Sequence, residues 1–278
     1  MPPLHSAFAA LLLLASPLAC TASYVAATVQ YKSSTPSPGS AAASVIEHNL
    51  VKYSALTAAA KEDGADIVVF PEWGLFGTDG AVAKRASVEP FCEELDLASP
   101  SNSSTLASLI SMAAKNSIVV VANICEKVPG AASPRFKDGQ LLYNTEVAIS
   151  AAGEVLAVFH KNHPAEVLTF DKPPTEVVTF TAPTIPGVTF GLIVCFDLLW
   201  DSPQDQLLEL GATHFPYSVA INTLKPNELS KLYFENWSRR KGAVLLASNL
   251  GDTGSGVFQE GRGATSATGE YVLATVDV

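Results

Sequence analysis

Several short runs in this chain are apolar at nearly every position. They include Asp66–Phe70 (DIVVF), Ser117–Ile124 (SIVVVANI), Gly191–Cys195 (GLIVC) and Ala243–Ala247 (AVLLA). A strand with one wet face alternates polar and apolar residues, whereas one covered on both faces reads as a continuous run. These strands must therefore lie under other layers. Helical spacing fills the gaps between them: Val45, Leu50, Leu56 and Ala60 place a helix over 42–63, and others are expected over 105–115, 204–210 and 227–241. A first strand is expected at 24–31 and a short one at 213–215. Ala151-Ala152-Gly153 between strands 143–150 and 154–160 is a hairpin signal. A further pair is expected at 176–180 and 189–195, and two strands in the Gly-rich tail. Strands alternating with helices indicate an α/β fold, and the hairpins indicate mixed sheets. One echo stands out: Gly64-Ala65 leads through a strand to Phe70-Pro71, and Gly211-Ala212 leads to Phe215-Pro216. It suggests two related halves whose strand ends face a common site. No linker or shift in composition divides residues 23–278, which read as one domain.

The amino terminus is different. Ala7–Ala15 is an uncharged apolar run of nine, closed by Pro17 and followed by small residues. A membrane-spanning helix needs ~20 residues, so the pattern fits a secretory leader over residues 1–22, cleaved after Ala22. No other stretch is long and apolar enough to span a membrane, and a secreted, soluble protein is expected. Cleavage removes Cys20 and leaves Cys92, Cys125 and Cys195. An odd count in an oxidising compartment suggests one bridge and one reserved thiol. Cys92 and Cys125 flank a helix–strand unit and form the natural pair. Asn102 opens a glycosylation sequon in a Ser-rich loop. Asn236 opens another, but inside an expected helix facing the core, and is expected to stay unmodified. Net charge is −10, from 17 basic and 27 acidic residues, which argues against a nucleic-acid partner. With 48% apolar and 16% charged residues, intrinsic disorder is excluded.

Three segments could carry chemistry. In Val69-Phe70-Pro71-Glu72-Trp73 a buried strand stops at a proline and a carboxylate follows, at the sheet edge where open α/β folds bind ligands. Alone, Glu72 also fits an ordinary loop acid. In His160-Lys161-Asn162-His163 a cation closes another strand, which also fits a solvated lysine. His160 and His163 have no carboxylate at ligand spacing, so no metal is assigned. In Val194-Cys195-Phe196-Asp197 a thiol closes a buried strand at a turn whose N–H groups can lower its pKa and bind an oxyanion. A buried structural cysteine is the plainer reading.

Together, these segments stand in the order and spacing of a known family. The chain resembles the nitrilase superfamily of carbon–nitrogen hydrolases, in particular its biotinidase and vanin (pantetheinase) branch. The likeness runs through YVAATVQY, GADIVVFPEWGLFG, VVANICEK, YNTEVAISAAGEV, HKNH, FGLIVCFDLLWDSP, Phe215-Pro216, LLASNL and TGSGVF. It implies a four-layer αββα sandwich and a thiol amidase that needs no cofactor and acts on a small linear amide. In that reading Glu72 is the general base, Cys195 the nucleophile, and Lys161 with the Phe196 backbone N–H the oxyanion stabilisers. Glu166 is the candidate second acid that steadies the site. Tyr217 and Ser218 stand where the branch has a pocket-lining segment and are expected to bind substrate. The sequence leaves the oligomeric state open, a homodimer included. Other readings are a superfamily relative acting on a carbamoyl compound, a nitrile or another acyl acceptor, a Cys–His enzyme using His214, and a non-catalytic binding protein on the same fold.

Overall fold

The apolar runs become the centres of two sheets. One contains β1 (Ser23–Val29), β2 (Ile67–Val69), β3 (Val119–Pro129), β4 (Gln140–Ile149), β5 (Val155–His160), β13 (Ala267–Thr268) and β14 (Tyr271–Asp277), ordered β13-β14-β1-β2-β3-β4-β5. The other contains β6 (Thr179–Ala182), β7 (Ile185–Gly191), β8 (Ile193–Val194), β9 (His214–Val219), β10 (Val244–Asn249), β11 (Gly256–Gln259) and β12 (Arg262–Ala264). Its path is β12-β11-β10-β9-β7-β6, with β8 also paired to β9. β1, β2 and β3 run parallel, as do β7, β9 and β10, and the flanking pairs are antiparallel. Both sheets are mixed. The structure, a computed structural model, describes residues 22–35, 37, 39–76, 84–221, 228–251, 254–265 and 267–278. Residues 1–21 of the expected leader, Asn227 and Thr253 of the TGSG element lie outside these.

Alternation along each strand builds four layers. Ile67, Val69, Val119 and Val121 point toward Phe190, Val244 and Leu246 of the other sheet, forming the central core. Their neighbours Val68, Val120 and Ala122 pack outward against Tyr53, Leu56 and Ala60 of α1 (Ala42–Glu62) and Leu106 and Leu109 of α3 (Ser104–Asn116). On the far side, Phe215, Leu245 and Ala247 meet Leu207 of α4 (Gln204–Glu209) and Phe234 and Trp237 of α5 (Glu228–Lys241). Strands apolar at every position thus serve two cores at once, which is why their sequence shows no period of two. The short α2 (Arg85–Val88) adds the buried Val88 to the outer core of the first sheet.

The repeated Gly-Ala element has a physical basis. Gly64 at φ +92° and Gly211 at φ +84° each end a helix in the left-handed region. The next N–H reaches back five residues, from Ala65 to Ala60 O and from Ala212 to Leu207 O, a glycine-dependent stop. The echo fails at the prolines. Pro71 lies beyond the end of β2, but Pro216 sits inside β9, which runs on to Val219 instead of stopping at Phe215. The missing N–H shows next door. Phe190 pairs with His214 and Ile193 with Tyr217, so the break between β7 and β8 at Leu192 falls opposite Pro216. The strand expected at 189–195 is therefore split. The one expected at 176–180 moves to Thr179–Ala182, because Glu176 exchanges two hydrogen bonds with the Asn162 side chain instead of joining a ladder. Among the described residues the tail forms four short strands, not two.

Cys92 and Cys125 are joined by a disulfide spanning 33 residues. Between them, Glu93 accepts hydrogen bonds from the Thr105 and Leu106 N–H groups and so caps α3. Asn102 is exposed in a turn just before α3; in α5 Trp237 and Ser238 are buried, but Asn236 itself is exposed rather than facing the core as expected. Among the described residues no helix is long and apolar enough to cross a membrane. Replacing Cys92 and Cys125 together with serine is expected to lower unfolding stability by about 2–4 kcal/mol, measured as a lower urea midpoint.

Candidate active site

Glu72, Lys161 and Cys195 come from the ends of three strands in two sheets. β2 ends at Val69; Phe70 N–H still donates to Val121 O, Pro71 has no N–H to give, and the chain turns at Glu72. Lys161 follows β5 directly, its N–H held by Asn144 O at 2.9 Å. Cys195 follows β8 and opens a 3-10 helix, Cys195–Leu199, at φ +43°. A positive φ is unusual for a residue with a side chain. Here it turns the thiol sharply out of the strand.

The three converge. Lys161 Nζ lies 2.6 Å from Glu72 Oε1, with Glu72 0% and Lys161 1% exposed. Asn144 Nδ2 donates to the same oxygen at 2.8 Å. Glu72 Oε2 is buried with no hydrogen-bond partner among the described residues. Lys161 Nζ also lies 3.5 Å from Glu166 Oε2 and 5.9 Å from the centre of the Trp73 ring, so a second carboxylate and an aromatic face flank the ammonium.

Electrostatics couples the group. Burial alone would lower the Lys161 ammonium, but Glu72, Cys195 and Glu166 outweigh it and hold its pKa above the ordinary value. Burial pushes the Cys195 thiol up, and the Glu72 carboxylate adds to this; Lys161 and the Ala220 N–H pull the other way without prevailing. The sequence alone suggested a lowered thiol pKa at this turn. The structure reverses that, because desolvating a thiolate beside a carboxylate costs more than one ammonium and one N–H return. At rest the sulfur carries its proton, and a base must remove it. Glu166 is raised by burial, against the pull of Lys161.

The other expected residues fall in different places. Phe196 is in the first turn of the 3-10 helix, where backbone N–H groups have no partner within the helix. Tyr217 and Ser218 were expected to line a pocket, but both are buried in β9. The Tyr217 hydroxyl donates to Cys195 O at 2.8 Å and its ring packs on Phe234. Ser218 Oγ contacts Phe70 O and Glu146 Oε1. These contacts brace the turns that carry Cys195 and Glu72. His214 packs between Tyr24 and Phe190, and burial lowers its pKa to about 4. It lies five residues back along β9 from Val219, the step next to the Cys195 turn, about 16 Å away at strand rise. A Cys195–His214 pair is therefore excluded.

Several contributors were not singled out from sequence. Asp197 accepts from Val194 N and from both the N–H and Nδ1 of His163, which stacks on Trp200, so Asp197 ties the Cys195 turn to the lysine segment. Asn123 and Asn144 brace Glu72. A visible sign was the Asn123 amide inside the apolar run of β3. His160, beside Lys161, bridges Glu126 at 2.8 Å and Glu176 at 2.6 Å. Among the described residues no cluster of three or more His, Cys, Asp or Glu could hold a metal ion.

Comparisons with known proteins agree with this architecture. A model of the carbon–nitrogen hydrolase family matches residues 25–207. Biotinidase of Takifugu rubripes is 31% identical over 235 residues, covering 77% of this chain and 46% of its own. Biotinidase of Rattus norvegicus is 31% identical over 266 residues, covering 84% and 49%. Pantetheinase of Mus musculus is 29% identical over 254 residues, covering 80% and 46%. The chain spans about half the length of these curated relatives. Among solved structures, an amidase from Nesterenkonia sp. superposes with a TM-score of 0.67 at 19% identity, covering 93% of this chain and 90% of that one. The glutamine-dependent NAD+ synthetase of Acinetobacter baumannii also gives 0.67 at 19% identity, covering 92% of this chain and 46% of that one. These two likenesses bear on the fold alone.

The His160 bridge makes stability depend on pH. Burial opposes its charge, but Glu126 and Glu176 raise its pKa from 6.5 to about 9. The stabilisation is fully present below 6.5 and is lost as pH rises through about 9. Unfolding stability is expected to fall across that window, and less steeply in His160→Gln; equal slopes in denaturant titrations would refute it.

Proposed function

The chain belongs to the carbon–nitrogen hydrolase family, and from that premise we propose that it is a thiol amidohydrolase of biotinidase and pantetheinase type. It cleaves the C–N bond of a small linear amide through an acyl-enzyme on Cys195. One observation carries the reading: a buried Glu72–Lys161 pair at 2.6 Å beside the Cys195 thiol, whose pKa burial raises, with the second oxygen of Glu72 unpartnered among the described residues.

In the proposed reaction Glu72 Oε2 takes the thiol proton as Sγ attacks the amide carbonyl. The developing oxyanion is stabilised by the buried Lys161 Nζ and the Phe196 N–H. Collapse breaks the C–N bond, and Glu72 returns its proton to the departing amine. The product is a thioester on Cys195. Water then gives a proton to Glu72 and attacks the thioester. The carboxylic acid leaves, and the thiol regains its proton. Glu166 steadies Lys161 while Glu72 cycles between its two states, so the ammonium is never left without a counter-charge.

The compartment belongs to the same proposal. A leader over residues 1–22, one catalytic domain over 23–278, a modified Asn102 and a Cys92–Cys125 bridge describe a secreted enzyme. The bridge leaves Cys195 as the reserved thiol. An acyl group with an amide-linked amine is the substrate class, pantetheine and biotinyl amides being the first to try.

Release of cysteamine from pantetheine and of lysine from biocytin tests the substrate class. Cys195→Ala is expected to abolish turnover. Glu72→Gln and Lys161→Met are each expected to lower kcat by about 10²–10⁴-fold. Iodoacetamide should label Cys195 in the wild type and much more slowly in Glu72→Gln. Full turnover by Cys195→Ala would sink the mechanism. Absence of both amines with intact labelling would move the substrate elsewhere in the family.

A further inference from the structure

Glu146 plays no part in the chemistry above, yet it is fully buried next to it. It sits on β4, opposite Asn123 of β3 and Phe159 of β5, on the face turned toward the other sheet. From that sheet Ser218 of β9 places its Oγ 2.5 Å from Glu146 Oε1 and 2.6 Å from Phe70 O. A serine hydroxyl has one hydrogen, and a carbonyl has none. Two contacts this short need two hydrogens, and only Glu146 can supply the second.

We propose that Glu146 is a neutral carboxylic acid that donates its proton to Ser218, freeing the serine hydrogen for Phe70 O, and so acts as a positioning residue for Glu72. Phe70 lies two residues before Glu72, so this bond fixes the backbone on one flank. The other flank is held through Asn123. Its Oδ1 accepts from Trp73 N–H at 3.1 Å, and its Nδ2 lies 3.2 Å from Glu146 Oε2 and 2.7 Å from Asn144 Oδ1. Asn144 Nδ2 then donates to Glu72 Oε1. Glu146 thus reaches both sides of the Glu72 turn: its proton frees the Ser218 hydrogen for Phe70 O, and its other oxygen accepts from Asn123.

Losing that proton has a definite consequence. The serine hydrogen would turn to the charged carboxylate, a stronger acceptor than a carbonyl. Ser218 Oγ and Phe70 O would then face each other with no hydrogen between them. A second negative charge would also stand near Glu72. The titratable groups interacting with Glu146 are Glu72, at the end of β2, and Tyr53, on α1. Lys161 and Cys195 lie beyond Glu72, and Asn123, Phe159, Ser218 and Phe70 carry no charge. Burial is the main cause raising Glu146 to about 8, helped by Glu72 and opposed by hydrogen bonds from Ser218 and Asn123.

The protonation claim stands on its own; its effect on rate rests on the proposed function. The test therefore uses the full chain carrying Cys195→Ala, where no turnover intrudes. Infrared difference spectra between pH 6 and pH 10 should show a protonated-carboxyl band that titrates at about 8 and disappears in Glu146→Gln. Ser218→Ala, which removes the acceptor, should shift the same band and provides a second reading if Glu146→Gln does not fold. In the otherwise wild-type enzyme, turnover should fall as pH rises through about 8. Glu146→Gln, which keeps a donor toward Ser218, should extend activity to higher pH. Glu146→Ala should lose about tenfold or more in kcat at every pH with little change in KM. A band unchanged by Glu146→Gln, or alkaline limbs that superimpose, would overturn the proposal. Turnover by Cys195→Ala would refute the nucleophile instead and leave the infrared result to decide Glu146.

Discussion

The contact between Lys161 and Glu72 governs the rest of the site. An ammonium and a carboxylate removed from water cost several kcal/mol each in desolvation, and good geometry with further hydrogen bonds is needed to offset it. Both are present: a 2.6 Å contact, Asn144 on the same carboxylate oxygen and Glu166 on the far side of the ammonium. Removing either partner would strand a buried charge. Beside the pair, burial raises the pKa of the thiol, with Glu72 adding to the shift and Lys161 opposing it. In the proposed reaction this leaves a thiol beside a carboxylate oxygen that has no other partner among the described residues and can take its proton.

The fold delivers this arrangement by making two sheets end at one place. β2 and β5 belong to one sheet and β8 to the other, and the three residues that follow them meet between the layers. Polar bonds between the sheets keep the ends in register. Ser218 reaches Phe70 O, and Ser248 and Ser255 reach Val29 O, each across the sandwich. Apolar packing of Phe190, Val244 and Leu246 against Val69 and Val121 supplies cohesion but little direction. Hydrogen bonds supply the direction, since a buried donor left unmade costs about 1–3 kcal/mol. The polar contacts are accordingly concentrated toward the end of the sandwich where direction matters.

Residues whose local sequence context matched their place in the fold were the easiest to read. Glu72 after a strand-ending proline, Lys161 after β5 and Cys195 after β8 all sit where a chain leaves a sheet, and local pattern shows such places. The disulfide pair was legible from the cysteine count and from the helix–strand unit that Cys92 and Cys125 flank. Tyr217 and Ser218 misled, because Phe215-Pro216 looked like the strand end at Phe70-Pro71. Whether a proline ends a strand depends on what lies beside it. β9 continues past Pro216 because the neighbouring strand breaks at Leu192, and no local pattern carries that information. His160 was equally opaque, since its partners Glu126 and Glu176 lie 34 and 16 residues away.

The sequence by itself determined the layers: runs apolar at every step must be covered on both faces, and Gly64 and Gly211 stop helices at fixed points. It also determined which three side chains stand at strand ends, because strand termination is written in neighbouring residues. Only the tertiary structure decided their charges. The proton on the Cys195 thiol, the hold on the Lys161 ammonium and the neutral state argued for Glu146 all depend on distances across two sheets and on the exclusion of water. Those quantities come into being when the sheets stack, and no single segment of the chain contains them.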